Sequence, residues 1–311
     1  MAPPDHRPEP LPDPSYLDLH RAGALRERAE SAVSLLQDCR LCPRSCGADR
    51  MGEDRGRCEA GSEALVASFG PHFGEEDCLV GRGGSGTIFF ASCALKCSFC
   101  QNADISHGAY GRPTASGELG RIMLRLQNAG CANINLVTPT HFVPPILAAL
   151  DAAAGQGLRI PLVYNSSGYE SPETLALLDG VIDIYMPDLK TLDPALAERW
   201  FSAPDYPDCA TASLRIMHEQ VGALRLDEGG IARRGVLVRH LVMPDHLDDT
   251  RNVMEWLTHN LGPDTFVNVM GQYHPPGRVR GDPSLSRRLA PDECRKARDL
   301  ARAAGLSRFA R

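Results

Sequence analysis

Cys93, Cys97 and Cys100 stand in the run Ser92-Cys93-Ala94-Leu95-Lys96-Cys97-Ser98-Phe99-Cys100. This spacing brings three thiolates around one small volume and supplies no fourth, and an incomplete ligand set points to chemistry at the metal. Soft thiolates select iron–sulfur clusters, zinc or copper(I), and a cubane cluster held by three cysteines keeps one iron free for an exogenous ligand. A zinc site would need its fourth ligand from elsewhere, and structural zinc motifs more often pair two short Cys or His blocks. A second group, Cys39, Cys42, Cys46 and Cys58, places four potential ligands in twenty residues, with Pro43 shaping the loop and Gly56 allowing the return to Cys58. Four ligands can close a site, either as zinc or as a further iron–sulfur cluster with a structural or electron-transfer role. Cys78, Cys131, Cys209 and Cys294 are scattered, and free cysteine often behaves as a small buried hydrophobe. Of these, only Cys78, close to the strand before Cys93, stands as a remote ligand.

The elements that must position these groups alternate. Residues 1–14 hold six prolines and few apolar groups, so a disordered tail is expected there. From Tyr16 to Gln37, Leu25, Ala29, Val33 and Leu36 recur with helical period and predict an amphipathic helix that delivers the chain to Cys39. Residues 15–62 thus form a helix plus a cysteine-rich segment, and residues 63–311 the catalytic unit. Within that unit Gly83 to Phe90 reads as a glycine-rich loop feeding a strand. Helices are expected around Leu119 to Leu126, from Pro144 to Ala154, after the Ser171-Pro172 start, over much of Asp193 to Gln220 with interruptions at Pro204 and Pro207, from Asp248 to Asn260, and near Pro291 to Ala304. Strands are expected at Asn133 to Val137, Leu158 to Tyr164, Val181 to Met186, Val236 to Val242 after a turn at Glu228-Gly229-Gly230, and Phe266 to Met270. About six alternations make parallel strands with right-handed crossovers the economical topology, an α/β partial (β/α)6 TIM-like barrel behind an N-terminal cysteine-rich extension.

Functional groups in such a barrel gather at the carboxyl ends of the strands. The first end carries the cysteine triplet, the second Thr138, Thr140 and His141, the third Asn165, Ser166, Ser167 and Tyr169. Asp188 and Lys190 follow the next strand and fit either a charged contact in the site or a surface salt bridge. Strand alternation sends only one of Arg239 and His240 to the mouth, and the fixed fork of arginine suits a carboxylate, leaving His240 as a hydrogen-bonded core residue. Gln272, Tyr273 and His274 follow the last strand, where Tyr273 and His274 are the candidate catalytic groups because both can donate protons or hydrogen atoms. The run Asp245, His246, Asp248 and Asp249 fits a solvated loop and helix start.

Composition narrows the partners. The 311 residues are 43% hydrophobic, enough for a full core in one barrel domain, and the net charge of −6 gives no general pull toward nucleic acid. No stretch approaches the ~20 apolar residues of a membrane span, the N-terminus lacks a signal-peptide layout, and eleven cysteines in short-spaced groups fit a reducing compartment. A cytoplasmic location is expected.

The cysteine triplet, with Gly83-Gly84-Ser85-Gly86-Thr87-Ile88-Phe89-Phe90 before it, resembles the radical S-adenosylmethionine (radical SAM) superfamily. The runs Cys39-Arg40-Leu41-Cys42-Pro43-Arg44-Ser45-Cys46, Asn133 to His141, Tyr164 to Tyr169 and Asn268 to His274 make the chain similar to an uncharacterised branch related to pyruvate formate-lyase activating enzymes. The resemblance implies a 4Fe–4S cluster on Cys93, Cys97 and Cys100 that binds SAM through its amino and carboxylate groups. It also implies a one-electron donor such as flavodoxin or ferredoxin, and reductive cleavage to methionine and a 5′-deoxyadenosyl radical that abstracts hydrogen from a substrate. It places Asn165, Ser166 and Ser167 near the SAM ribose or carboxylate and Asp188 and Lys190 facing SAM or substrate; with SAM in that position, Arg239 is the residue for its carboxylate by its fixed fork, and Gln272 is a candidate for cofactor or substrate contact. Where relatives carry a glycine-glycine-glutamate-like motif for the SAM ammonium, this chain has Thr138-Pro139-Thr140, whose backbone carbonyls can accept instead. Phe99 would shield the cluster, contact adenine or simply pack. Three roles compete: an activase that installs a glycyl radical on a partner protein, a radical enzyme modifying a small molecule or peptide, and a non-catalytic iron–sulfur or zinc module.

Overall fold

The computed structural model describes residues 13–108, 110–275 and 283–310, so the expected tail lies outside the described residues up to position 12. Its last two residues are tied down: Asp13 pairs with Arg21 at 2.8 Å, and the Pro14 carbonyl accepts from the Leu17 N–H at 3.1 Å. The helix expected from Tyr16 to Gln37 is two helices, α1 (Tyr16–Arg21) and α2 (Ala24–Ser34). Gly23 breaks it, because its left-handed φ of +77° cannot continue a right-handed helix. The restart turns Leu25, Ala29 and Ala32 inward and leaves Val33 exposed. The pair lies over a later helix, where His20 Nδ1 meets Asp151 Oδ1 at 2.6 Å.

A cysteine-bearing loop then reaches β1 (Ala64–His72), which is followed by α3 (Asp77–Val80) and β2 (Ser85–Phe90). After the Cys93 loop come α4 (Ala103–Ser106), β3 (Arg112–Thr114), α5 (Ser116–Asn128), β4 (Ile134–Val137), α6 (Val143–Gly155), β5 (Leu162–Ser166), α7 (Pro172–Leu178) and β6 (Ile184–Pro187). The remainder comprises α8 (Pro194–Phe201), α9 (Tyr206–Val221), β7 (Arg225–Leu226), β8 (Ala232–Leu241), α10 (Leu247–Leu261), β9 (Phe266–Met270), α11 (Pro291–Ala303) and β10 (Arg308–Phe309).

Local chemistry explains three of these boundaries. Ser171 caps α7 by accepting from the Thr174 N–H at 3.3 Å, with Pro172 in the first turn, where no N–H is needed. Pro207 likewise sits in the first turn of α9, so it starts that helix where an interruption was expected. β5 begins after Pro161, which cannot donate to a ladder, so the strand lies a few residues later than the sequence pattern indicates. Asn165 and Ser166 consequently belong to the strand itself.

The strands form one sheet in the order β10-β9-β8-β6-β5-β4-β2-β1-β3, with β7 beside β8. Every neighbouring pair from β2 to β10 is parallel, while β1, β3 and β7 are antiparallel additions. This is a mixed α/β fold on a mostly parallel sheet. Burial on both faces of β5 and β6 follows from helices covering the sheet, and both strands open on apolar residues without alternation before β5 ends on the buried Asn165 and Ser166. No helix among the described residues is long and apolar enough to cross a membrane.

Register decides what meets at the carboxyl ends. Phe89 lies opposite Val137, Val137 opposite Asn165, and Asn165 opposite Met186. Beyond β6 the level continues as Asp188 opposite Arg239 and Arg239 opposite Asn268. Residues far apart in sequence thus stand on one rim.

Candidate active site

Two strained residues shape the cysteine loop: Ser92 has φ of +72° and Lys96 +51°, conformations that L side chains adopt only when their surroundings impose them. The loop is held from outside by Ser92 N–H donating to Ile105 O and Ser98 N–H donating to Trp200 O, both at 2.8 Å, and from inside by Cys100 N–H donating to Cys97 O at 3.1 Å. Phe99 is buried edge-on against Trp200, with ring centroids 5.6 Å apart, so it anchors the loop. Cys100 Sγ lies 3.1 Å from Ser106 Oγ.

All three cysteines line a cavity of about 480 Å³, a size that suits a bound small molecule. Thr138, Asn165, Ser166, Ser167, Asp188, Lys190, Arg239, Gln272, His274 and Phe99 share its wall. Thr138 adds a third strained backbone, φ +59°, and its N–H donates to Asn165 O at 2.9 Å. The last loop is fastened to the cysteine loop by Gln101 Nε2, which donates to His274 O at 3.0 Å. Four expected residues are not in this wall: His141 Nε2 lies 2.9 Å from Ala91 O, the Tyr169 hydroxyl donates to Asp205 Oδ2 at 2.7 Å, and Thr140 and Tyr273 also turn away. Thr140 is buried and donates to Glu170 Oε1 at 2.8 Å, and Tyr273 is buried with its hydroxyl donating to Leu285 O at 2.6 Å. Both hydroxyls are committed to structure, which removes Tyr273 from direct contact in this arrangement.

The charged groups form a layered network. Lys190 Nζ meets Asp188 Oδ2 at 2.6 Å, and the two side chains are only 15% and 18% exposed, so this is a buried pair and not a surface salt bridge. Burial alone would raise Asp188, but Lys190 and Arg239 more than offset it and hold the carboxyl below its ordinary range. Burial opposes charge on Lys190, yet Asp188 and the Cys97 sulfur lift its affinity for the proton. Arg239 faces the cavity with Nε 3.4 Å from Asp188, while Nη1 lies 3.8 Å from Glu75 and 4.0 Å from Glu76. His240, on the opposite side of β8, is buried with Nδ1 2.8 Å from Leu189 O and Nε2 3.0 Å from Thr250 Oγ1, and burial lowers its pKa. Burial also raises the Cys93 and Cys97 thiols; the Lys96 and Leu95 N–H groups counter this at Cys93, and Lys190 counters it at Cys97.

Residues 87–257 of this chain match the Radical SAM superfamily. The chain belongs to that superfamily. It is also 32% identical over 298 residues to the uncharacterized protein MJ0674 of Methanocaldococcus jannaschii, an alignment that covers 93% of this chain and 79% of that protein. Membership makes this radical SAM protein a SAM-cleaving iron–sulfur enzyme of redox-type radical chemistry, needing an electron donor. MJ0674 carries no stated activity and does not narrow the branch.

The donor set fits the radical SAM cofactors. Three thiols on one wall would leave one corner of a cubane cluster for an exogenous ligand, and hydroxyl and amide groups of Asn165, Ser166 and Ser167 line the same cavity, where they would suit a polar nucleoside. Among the described residues no three Cys, His, Asp or Glu side chains converge as they would around one metal ion, and a cubane, being a larger body, holds its thiolates farther apart.

Several functional neighbours were not visible in the sequence. Glu75 and Glu76 reach Arg239 only because β1 folds antiparallel onto β2, and β1 itself has weak patterning, with inward burial confined to Ala64 and Val66. A second cavity of about 590 Å³ adjoins the first through Arg239, Met270 and Gln272, and Glu75, Glu76, Asn268, Arg298 and Arg302 line it. Cys78 is no remote ligand in this arrangement: it packs with Leu79, Val163 and Ile184 in a separate apolar cluster. In the acidic run, Asp248 pairs with Arg251 at 2.7 Å, Asp245 pairs with Arg287 at 2.5 Å, and Asp249 caps the Leu192 N–H at 3.0 Å, all structural roles.

Proposed function

We propose that this chain is a radical SAM enzyme that cleaves S-adenosylmethionine reductively to a 5′-deoxyadenosyl radical and uses that radical to abstract hydrogen from a substrate. We propose also that it does so on a partial (β/α)6 barrel. The observation that carries the reading is the convergence of Cys93, Cys97 and Cys100 with Asn165, Ser166, Ser167, Asp188, Lys190 and Arg239 on one cavity. The three cysteines would hold a 4Fe–4S cluster, which supplies one-electron chemistry at an open iron when bound. The chain's own residues bind, orient and exclude water. Asn165, Ser166 and Ser167 offer donors and acceptors to the ribose and carboxylate of SAM. Thr138, its carbonyl turned by a left-handed backbone, supplies an acceptor where an ammonium must be met. Arg239 offers a guanidinium already steadied by three carboxylates, and Phe99, Phe89 and Leu241 give the apolar wall that keeps water out.

The adjoining polar cavity is the proposed substrate side, with Gln272 at the junction and His274, in the wall of the first cavity, as the candidate catalytic group. Its breadth favours a second, narrower reading in which the hydrogen comes from a protein segment, as in the activating enzymes that the chain resembles.

Anaerobic reconstitution followed by reduction in the presence of SAM tests the proposal. Methionine and 5′-deoxyadenosine should form, and Cys93→Ala, Cys97→Ala or Cys100→Ala should abolish both products. Undiminished product formation in any of these variants would refute the assignment. Capture of a partner whose glycine becomes a radical would select the activase reading; turnover on a small molecule or free peptide alone would exclude it.

A further inference from the structure

The cysteine-rich extension holds a buried charge that its visible partners do not balance. Arg50 is 1% exposed. Its guanidinium donates to Ala60 O at 3.0 Å, to Gly61 O at 2.7 Å and to His141 O at 2.6 Å, and its remaining contact is Cys39 Sγ at 3.6 Å. Carbonyl dipoles satisfy its hydrogens, and the Phe142 ring lies 6.0 Å away, but among the described residues no carboxylate pairs with it. A permanently protonated group buried without a counter-ion costs several kcal/mol, so an anion is expected at its open side.

Among the described residues, the groups beside it that can supply one are the sulfurs of Cys39 and Cys58. Cys42 and Cys58 each lie near Cys39 and near one another, and Cys46 lies near Cys58, with Cys39 and Cys58 buried and Cys42 half-buried. Cys46 is exposed, with its Sγ against the Gly56 backbone: a Cβ there, at φ +54°, would stand 2.7 Å from it, so the chain passes without a side chain. The Cys39 N–H donates to Ala48 O and the Gly47 N–H to Cys39 O, which folds the loop back on itself. Four thiolates around a metal centre carry net negative charge in both zinc and iron–sulfur forms. Place selects between them: the site is braced against the Cys93 loop, where one-electron transfer has a use that redox-inert zinc cannot serve.

We propose that Cys39, Cys42, Cys46 and Cys58 bind a second iron–sulfur cluster of the 4Fe–4S class, with Arg50 as its buried counter-charge. Its place in the molecule gives it a use. Glu59, next to Cys58, pairs with Lys96, next to Cys97, at 2.5 Å, and Arg44 Nε donates to Ala94 O at 3.3 Å. Arg50 reaches the carbonyl of His141, whose Nε2 lies 2.9 Å from Ala91 O, just before the Cys93 loop. The second cluster is therefore braced against the loop of the first, where single electrons from an external one-electron donor can pass from one to the other.

The site stands independently of whether SAM is cleaved, and iron counting separates the two. Anaerobically reconstituted protein should hold about eight irons and eight sulfides per chain. A variant with Cys93, Cys97 and Cys100 all replaced by Ala should keep about four, and a variant with Cys42→Ser and Cys46→Ser should lose about four while retaining SAM binding. On reduction, the paramagnetic resonance spectrum of the full protein should show coupling between two centres that vanishes in either variant. About four irons in the unaltered chain, none in the Cys93 loop variant, or one zinc in place of the second set would overturn the proposal. Loss of product formation with eight irons intact would instead count against the proposed reaction alone.

Discussion

Lys190 Nζ lies 2.6 Å from Asp188 Oδ2 in the wall that also holds Cys97, and the two partners depend on each other unequally. Asp188 has a second cation, Arg239 Nε at 3.4 Å, whereas Lys190 has no other described carboxylate. Asp188→Ala should therefore strand a buried ammonium and cost about 3–5 kcal/mol, while Lys190→Met should cost clearly less. Anaerobic urea titrations followed by tryptophan fluorescence measure both. A larger loss in Lys190→Met would show that the pair is not organised this way.

Gly168 follows Asn165, Ser166 and Ser167 at φ +75°, and a Cβ there would stand 2.5 Å from Asp188 O. The close approach lets the β5 turn lie against the end of β6. Gly168→Ala should cost about 1–3 kcal/mol through backbone strain and should weaken SAM binding, because the displaced turn carries three of the wall's polar groups. Equilibrium dialysis with SAM, alongside a thermal melt, checks this: wild-type affinity with a lowered melting temperature would separate the turn from the SAM site.

How much of this was legible follows from where the forces act. The cysteine loop and the polar groups after each strand could be read in sequence because neighbouring residues impose that chemistry locally. β9 could be read to the residue, and α10 nearly so, because their apolar periods are strong. By contrast, the contact of Glu75 and Glu76 with Arg239 depends on an antiparallel strand whose outer half is exposed, and such a pairing leaves no pattern in either segment. Thr140 and Tyr273 looked like site residues because Thr138, Gln272 and His274, within two positions of them, line the cavity. One residue's difference in position along a turn sends a hydroxyl into the core, and only the buried partner, Glu170 or the Leu285 carbonyl, reveals it.

Glu170 offers a pH test. Burial lifts its carboxyl from 4.5 to about 7, against the lowering effect of hydrogen bonds from Thr140, Tyr164 and Ser166. An acid whose folded pKa is raised binds a proton in the folded state that the unfolded chain has released. Stability is therefore lost as pH rises from about 4.5 through about 7 and stays lower above that window. The displacement corresponds to about 3 kcal/mol. Glu170→Gln keeps the acceptor for Thr140 and cannot ionise, so it should unfold at higher urea than wild type at pH 8 and converge with it near pH 5. A constant difference across that range would assign the window to another group.

Arg239 makes the complementary case, because removing it leaves carboxylates facing one another. Glu75, Glu76 and Asp188 all lie within 4.0 Å of its guanidinium, and Glu75 is already raised, first by burial and then by Glu76, with Arg239 as the main restraint. In Arg239→Met the restraint goes, so protons should bind the folded state more tightly than the unfolded chain. By the same sign argument the variant's deficit should be large at pH 8 and shrink as pH falls toward 5. Lys190 stays beside Asp188, so Glu75 should carry most of the change, and adding Glu75→Gln should restore part of the loss at pH 8 with little effect at pH 5. Urea titrations of the single and double variants at both pH values supply the cycle. If Glu75→Gln restores nothing, the guanidinium is held chiefly by Asp188, and the loop before α3 is a bystander to the site.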